Sequence, residues 1–167
     1  MTVIIREAIP DDFTAMAQLV VEAYQEYAAS LTPAAWEQMR TGLASVAQLA
    51  AAATFLVAED NRQLVGSVAY YAPGTSDTRL FPQHWASLRL LAVAPAHRGR
   101  GLGRQLTEAC VARARADEAR EIGLHTSELM HTARQIYERM GFRTAGELPM
   151  TFGLRYWRFV LPLTPTV

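Results

Sequence analysis

Two hydrophobic periods alternate along the chain and divide it into elements. Thr2–Arg6 is a β-branched run that predicts a first strand. Phe13, Met16, Ala17, Val20 and Tyr24 recur at helical spacing, with Pro10, Asp11 and Asp12 suited to the first turn. A second helical stripe, Trp36, Met39, Leu43, Val46 and Leu49, follows Thr32 as N-cap and Pro33 as first helical residue. Gly42 weakens the middle of that helix by roughly 1 kcal/mol against alanine. Thr54–Glu59 and Gln63–Tyr71 then read as strands joined by a turn at Asp60, Asn61 and Arg62. Pro73 to Pro82 is a loop rich in turn formers, and Trp85–Val93 is the next strand. Its apolar run Leu90–Val93 predicts a central place covered on both faces. Leu102–Asp117 is a helix with Leu102, Leu106, Ala109 and Cys110 inward, and Ile122–Ser127 is a strand. Thr132–Met140 is a short helix stopped by Gly141, and Phe142–Pro149 with Leu154–Leu161 close the chain as an antiparallel pair.

Strands that follow one another early and late imply antiparallel pairing. The strand–helix–strand unit from Trp85 to Ser127 implies one parallel crossover between them. The fold class is therefore α/β: a mixed sheet with helices on both faces. No repeat, low-complexity tract or linker interrupts residues 1–167, so the expectation is a single domain.

Composition changes this picture little. Half the residues are hydrophobic and 19% are charged, with 16 basic against 16 acidic residues. That balance gives no overall field to recruit nucleic acid or an anionic membrane. Any electropositive feature must be local, and Arg98–Arg104 is the place for it. The single cysteine, Cys110, excludes an internal disulfide framework and fits a reducing compartment. With no signal-like or bilayer-length apolar run, the expected location is the cytoplasm. His84, His97, His125 and His131 share no metal-ligand spacing, so no metal is assigned. Cys110 on the apolar helix face is expected to pack rather than react, and His125 to be a satisfied structural histidine.

The chemistry concentrates where the Leu88–Val93 run breaks at Pro95 and passes through Gly99, Gly101 and Gly103 among arginines before turning helical. A strand that feeds a glycine-rich loop opening a helix suits phosphate: free N–H groups and the positive end of the helix dipole meet there. A Walker-type loop needs Gly-Lys-Ser/Thr, but Gly103 precedes Arg104 and Gln105. A dinucleotide fingerprint needs Gly-x-Gly-x-x-Gly near the first strand, whereas here the spacing is Gly-x-Gly-x-Gly beyond mid-chain. An ordinary turn would not need three glycines and three arginines.

The remaining pattern, Arg98-Gly99-Arg100-Gly101-Leu102-Gly103 directly after the Leu-Ala-Val strand, resembles the acetyl-CoA motif of the GCN5-related N-acetyltransferase (GNAT) family. Downstream, Ala133 to Phe142, with Tyr137 and Gly141, is similar to that family's Ala-x-x-x-Tyr-x-x-x-Gly-Phe helix. The resemblance covers nearly the whole chain and implies a mostly antiparallel twisted sheet whose central parallel strand pair splays apart. Pantetheine would lie in the gap against the backbone of Leu91, Ala92 and Val93. The pyrophosphate would sit over the N–H groups of Arg98, Gly99, Arg100, Gly101, Leu102, Gly103 and Arg104, with one or two arginines reaching it. Tyr137 would be the general acid for the departing thiolate of coenzyme A. Periodicity alone puts Tyr137 on a stripe with Ala133, Ile136 and Met140, which reads as core.

Two positions depart from the family pattern. Ser87 stands where some relatives place a glutamate base, and no acid occurs between Trp85 and Arg98. A water relay is the preferred expectation for the proton, with Glu128, Glu22 and Glu26 as carboxylate candidates. Met130 stands where many relatives carry a cofactor-binding asparagine, leaving Ser127 or His131 to substitute. By the same resemblance the acceptor, a small-molecule or peptide amine, would enter among Tyr24, Tyr27, Trp36, Trp85, Phe152 and Tyr156. The expectation is thus direct acetyl transfer from acetyl-CoA to a primary amine in a ternary complex. The alternative is a non-catalytic acyl-CoA sensor of the same fold. A homodimer through the last strands is left open.

Overall fold

The computed structural model describes residues 2–164. Seven strands and four α-helices alternate much as the periodicity predicts. They are β1 (Val3–Glu7), α1 (Phe13–Tyr24), α2 (Pro33–Ala44), β2 (Thr54–Asp60), β3 (Gln63–Tyr71), β4 (Ala86–Val93), α3 (Leu102–Ala116), β5 (Glu121–Ser127), α4 (His131–Arg139), β6 (Arg143–Thr151) and β7 (Leu154–Pro162). All seven strands form one sheet in the order β1-β2-β3-β4-β5-β7-β6. Every neighbouring pair is antiparallel except β4 and β5.

Local chemistry explains most boundaries. Pro10–Asp12 makes a separate 3-10 turn before α1 rather than its first turn. Asp12 there takes a paired contact from Arg6 (2.8 and 3.1 Å) and the Ile9 N–H (2.8 Å), tying β1 to α1. The buried stripe of α1 is Met16, Leu19, Val20 and Ala23, while Tyr24 at the helix end is half-buried and its hydroxyl reaches the sheet at the Leu91 carbonyl. Thr32 caps α2 as expected, its hydroxyl accepting from the Ala35 N–H at 3.1 Å. The second helical stripe is nonetheless split: α2 ends at Ala44, and Val46–Leu49 is a 3-10 turn. Asn61 and Arg62 turn the β2–β3 hairpin with positive φ at both, the backbone of a two-residue loop.

Two cores lie on opposite faces of the sheet. Met16, Val20, Met39, Leu43 and Val46 from the first two helices pack on Phe55, Val57, Ala69 and Tyr71. Leu102, Leu106, Cys110 and Ala114 of α3 pack on Ala58, Val68, Leu88, Ile122 and Leu124, with Tyr137 of α4 in the same cluster. Cys110 is fully buried there, and burial pushes its thiol up to about 12, which keeps it protonated packing material.

The feature that positions the site is a defect at the middle of the sheet. Between its partners Ser67 and Ala69 the β3 chain advances two residues, while β4 advances three from Ala92 to Arg89. The extra residue falls at Leu90, whose φ is +58°. Such a bulge bends and twists its strand. β4 therefore meets β5 only at Ala86 opposite Ile122 and Ser87 opposite Gly123. β5 stays paired with β7 along its whole length. The expectation that Leu90–Val93 is covered on both faces holds only for Ala92; Leu90, Leu91 and Val93 are half-buried because the fork leaves them facing open space.

Candidate active site

The fork between β4 and β5 is a cleft of about 800 Å³, open to solvent. Its floor is Leu88–Val93 on one side and Leu124, His125 and Thr126 on the other. The loop after β4 and the start of α3 close one end, α4 covers one face, and Tyr24 at the end of α1 with Glu26 and Tyr27 just after it cover the other.

The glycine loop takes the form its sequence suggests, but its three glycines act differently. Gly99 and Gly101 both have φ +77°, a conformation that costs other residues roughly 1–2 kcal/mol. Gly101 is also the N-cap of α3. Gly103 is helical, and a Cβ there would meet Ile136 Cδ1 at 3.3 Å; its smallness lets α3 approach α4. Gln105 is the first α3 residue whose N–H finds a carbonyl, that of Gly101 at 3.0 Å. The N–H groups of Leu102, Gly103 and Arg104 are the orphan donors of a helix start, and all three residues line the cleft.

Of the predicted site residues, Leu91, Ala92, Val93, Arg98, Gly99, Gly101, Leu102, Gly103, Arg104 and Tyr137 all line this cleft. Arg100 does not. Its guanidinium reaches back to Asp60 Oδ2 at 3.4 Å and to the His97 ring, because Asp60 at the end of β2 is almost wholly buried and needs a cation. Arg98 is at the cleft but anchored, donating to Glu26 Oε2 (2.9 Å) and to the Ala23 carbonyl (2.8 Å). Arg104 holds only an exposed pair with Glu108 one turn on, 2.7 Å. Such pairs contribute about 0.3–0.5 kcal/mol, so Arg104 is the arginine most cheaply redirected to an anion. The Leu91 carbonyl accepts from Tyr24 Oη at 3.2 Å, which fixes the bulge and leaves one lone pair for a ligand.

Tyr137 is 5% exposed, its ring packed against Phe142 with centroids 5.8 Å apart. Its hydroxyl has no hydrogen-bond partner among the described residues. Desolvation, first, and the neighbouring Tyr24 raise its pKa well above the ordinary phenol value. It is a protonated donor at any working pH.

The candidates for proton removal fare unequally. Ser87 is fully buried, shares a 2.7 Å hydrogen bond with the Ser76 hydroxyl, and lies outside the cleft. Glu26 lines the mouth but is committed to Arg98. Glu128 accepts from the Arg155 N–H at 3.1 Å and, like Glu22, does not line the cleft. Met130 and His131 do line it at the start of α4; a methionine there gives no side-chain cap. Of the six aromatics expected around an acceptor, Tyr24 and Tyr27 line the cleft, whereas Trp85 is turned against Gly123 and Phe81 beneath the sheet. Trp36, Phe152 and Tyr156 pack in the hydrophobic clusters.

Arg89, named by no sequence expectation, and His125, expected to be a satisfied structural histidine, stand out. Arg89 on β4 and His125 on β5 both line the cleft, and Arg89 Nε and His125 Nδ1 are buried without hydrogen-bond partners. His125 is thus not a satisfied structural histidine. Burial, with a smaller contribution from Arg89, lowers its pKa to about 4, so it is neutral. A charged residue inside the apolar run of a central strand was the available clue to Arg89. Among the described residues no group of three His, Cys, Asp or Glu side chains could hold a metal ion. No helix among them is long and apolar enough to cross a membrane.

Comparison with known proteins decides the family. The acetyltransferase (GNAT) family model matches residues 13–142. The chain belongs to the GNAT acetyltransferase family. Among curated relatives of this GNAT chain, N-acetyltransferase 8B of Mus musculus is 35% identical over 108 residues, 65% of the chain and 44% of the relative. N-acetyltransferase 8F1 of Rattus norvegicus is 32% identical over 146 residues, 85% of the chain and 59% of the relative. The chain thus spans about half the length of the curated relatives it matches. Solved structures share the fold at lower identity. The yncA protein of Salmonella typhimurium, with its cofactor acetyl-CoA, superposes with TM-score 0.71 at 20% identity, covering 100% of this chain and 97% of the other. A GNAT acetyltransferase of Brucella melitensis in complex with acetyl-CoA gives TM-score 0.65 at 23% identity, covering 99% and 91%.

Proposed function

We propose that this chain is an acetyl-CoA-dependent N-acetyltransferase that moves the acetyl group from the thioester to a primary amine by direct attack in a ternary complex. The observation that carries the reading is the fork itself. A bulge at Leu90 parts β4 from β5 beside a helix start with unpaired N–H groups, giving a slot for an extended thiol arm and a cradle for its phosphates. Pantetheine lies along Leu91, Ala92 and Val93 as an added strand. The pyrophosphate rests on the N–H groups from Arg98 to Arg104, with Arg104 the side chain that closes on it; Arg100 contributes backbone only.

In the reaction the amine nitrogen attacks the thioester carbonyl, the C–S bond breaks, and the thiolate leaves. Tyr137 donates to that sulfur. Desolvation raises the Tyr137 pKa above the ordinary phenol value, so it stays protonated as the thiolate leaves and contributes a charge-assisted hydrogen bond. Lacking a free carboxylate in the cleft, the protein leaves the amine's proton to water. The single buried cysteine suits action in the cytoplasm.

The test is thiol release from acetyl-CoA with a pooled panel of amines. Release that depends on both amine and protein is expected. Tight acetyl-CoA binding with no release for any amine, unchanged in Tyr137→Phe, would make the chain an acyl-CoA sensor instead.

A further inference from the structure

The glycine loop is tied down at two points by arginines that alternate with its glycines. Arg98 donates to the Ala23 carbonyl (2.8 Å) and to Glu26 Oε2 (2.9 Å), which anchors the loop to the end of α1. Arg100 goes to a different anchor. It donates to the His97 ring within the loop and reaches Asp60 Oδ2, 3.4 Å away at the end of β2. Left-handed backbone at Gly99 and Gly101 turns the chain on both sides of Arg100. The root of the loop is held by the same hairpin, since the Ala94 N–H donates to the Val65 carbonyl on β3 at 2.9 Å.

Asp60 has no other evident employment. Its side chain is almost wholly buried, where carboxylates are seldom found. It stands beside the turn at Asn61 and Arg62, yet its Oδ1 accepts no hydrogen bond among the described residues and its Oδ2 is engaged with Arg100. We infer that Asp60 is a positioning residue for coenzyme A. Acting through Arg100, it holds the glycine loop in the shape that aims the N–H groups of Leu102, Gly103 and Arg104 at the pyrophosphate. Glycines lose the most backbone freedom when they are ordered, and a strap moves that loss from binding into folding. Charge alone predicts the opposite sign: an acid one arginine away from an anion site weakens anion binding, so its removal would tighten it. The inference rests on the reading that this loop holds the pyrophosphate of coenzyme A.

The test is calorimetry of coenzyme A binding to the full chain. Asp60→Asn keeps the side chain's shape and removes its charge, and affinity should fall by about fivefold or more. Arg100→Gln should lose a similar factor and Arg100→Lys less. The double variant Asp60→Asn/Arg100→Gln should lose no more than either alone, because both changes break one strap. The amides of His97 and Gln105 are hydrogen-bonded to the Ala94 and Gly101 carbonyls. Without coenzyme A their hydrogen exchange should quicken in these variants while exchange across the β5–β7 pair holds, which a general loss of stability would not give. Unchanged or tighter binding by Asp60→Asn overturns the proposal and leaves the acetyltransferase reading standing. Losses that add in the double variant also overturn it, since they put Arg100 itself on the phosphate. No binding of coenzyme A by the unaltered protein overturns the acetyltransferase reading and this proposal with it. Should Asp60→Asn fail to fold, the double variant, which buries no lone charge, decides through those two amides: quickened exchange upholds the strap and unchanged exchange overturns it.

Discussion

Replacing Tyr137 by phenylalanine removes one oxygen that makes no hydrogen bond to another described residue, so chemistry and stability separate cleanly. The ring stays packed on Phe142, and no buried partner loses a hydrogen bond. The melting temperature should therefore hold within about 2 °C, since 1 kcal/mol moves a domain of this size by roughly 2–4 °C. Acetyl-CoA affinity should stay within twofold, because the ground-state thioester sulfur is a poor acceptor. The loss appears only as charge develops on sulfur. A hydrogen bond to a charged group contributes about 1.5–3 kcal/mol, which converts to a slowing of roughly 10- to 150-fold in the acetyl-transfer step. Single-turnover thiol release with saturating amine is the assay, since steady-state rates are open to masking by product release. Because desolvation holds Tyr137 protonated, the pH–rate profile between 6 and 9 should keep its shape in the variant. A slowing below threefold would refute the assignment of Tyr137 as the group that meets the leaving thiolate. A changed pH profile would refute the claim that it stays protonated.

Three further outcomes follow from named contacts. Gly101→Glu places a carboxylate where phosphate is proposed and forces a left-handed backbone, but its Cβ meets nothing closer than Gln105 Nε2 at 4.0 Å. Acetyl-CoA affinity by calorimetry should fall beyond 100-fold while the fold survives with a penalty of about 1–2 kcal/mol. Gly123→Ala should cost more stability than that, about 1–3 kcal/mol by thermal melting, because its Cβ would lie 2.7 Å from Trp85 Cε3 and 2.9 Å from Phe81 Cδ1. His125, with a folded pKa of about 4 against an ordinary 6.5, makes the unfolded chain the better proton binder between those values. Stability should be intact above pH 6.5 and fall by roughly 2–3 kcal/mol as pH drops to 4, a slope that His125→Leu should flatten in acid denaturant melts.

How much was legible from sequence depends on the kind of information. Strands, helices and the N-cap at Thr32 were open to periodicity and local chemistry, since both are written within a few residues. The glycine loop and the Tyr137 helix were readable as paired motifs. Residues whose role depends on direction were not. Arg100 sits in the motif yet points at Asp60, because the buried Asp60 carboxylate lies 40 residues away in sequence. Ser87 looked like a site position and is sealed under Ser76. Trp85 looked like acceptor lining and instead covers Gly123. Arg89 and His125 come together only because β4 and β5 are parallel neighbours, a tertiary fact that no spacing along the chain expresses. The break of the second helical stripe at Ala44 is one local boundary that Gly42 hinted at but did not locate.

The fork between β4 and β5 has a consequence for how the protein lives among other chains. Each strand turns one bare backbone edge into the gap, and bare edges are what other polypeptides pair with when proteins aggregate. Here the edges are roofed by α3 and α4 on one face and by α1 on the other, with Tyr24 reaching across to the Leu91 carbonyl. Covered on both faces, the gap is a slot rather than an open sheet edge. The proposed thiol arm, thin and flexible, suits such a slot better than a full β-strand with side chains on both faces would. The cleft is thereby a sheet edge kept in reserve, sticky by chemistry and quarantined by shape.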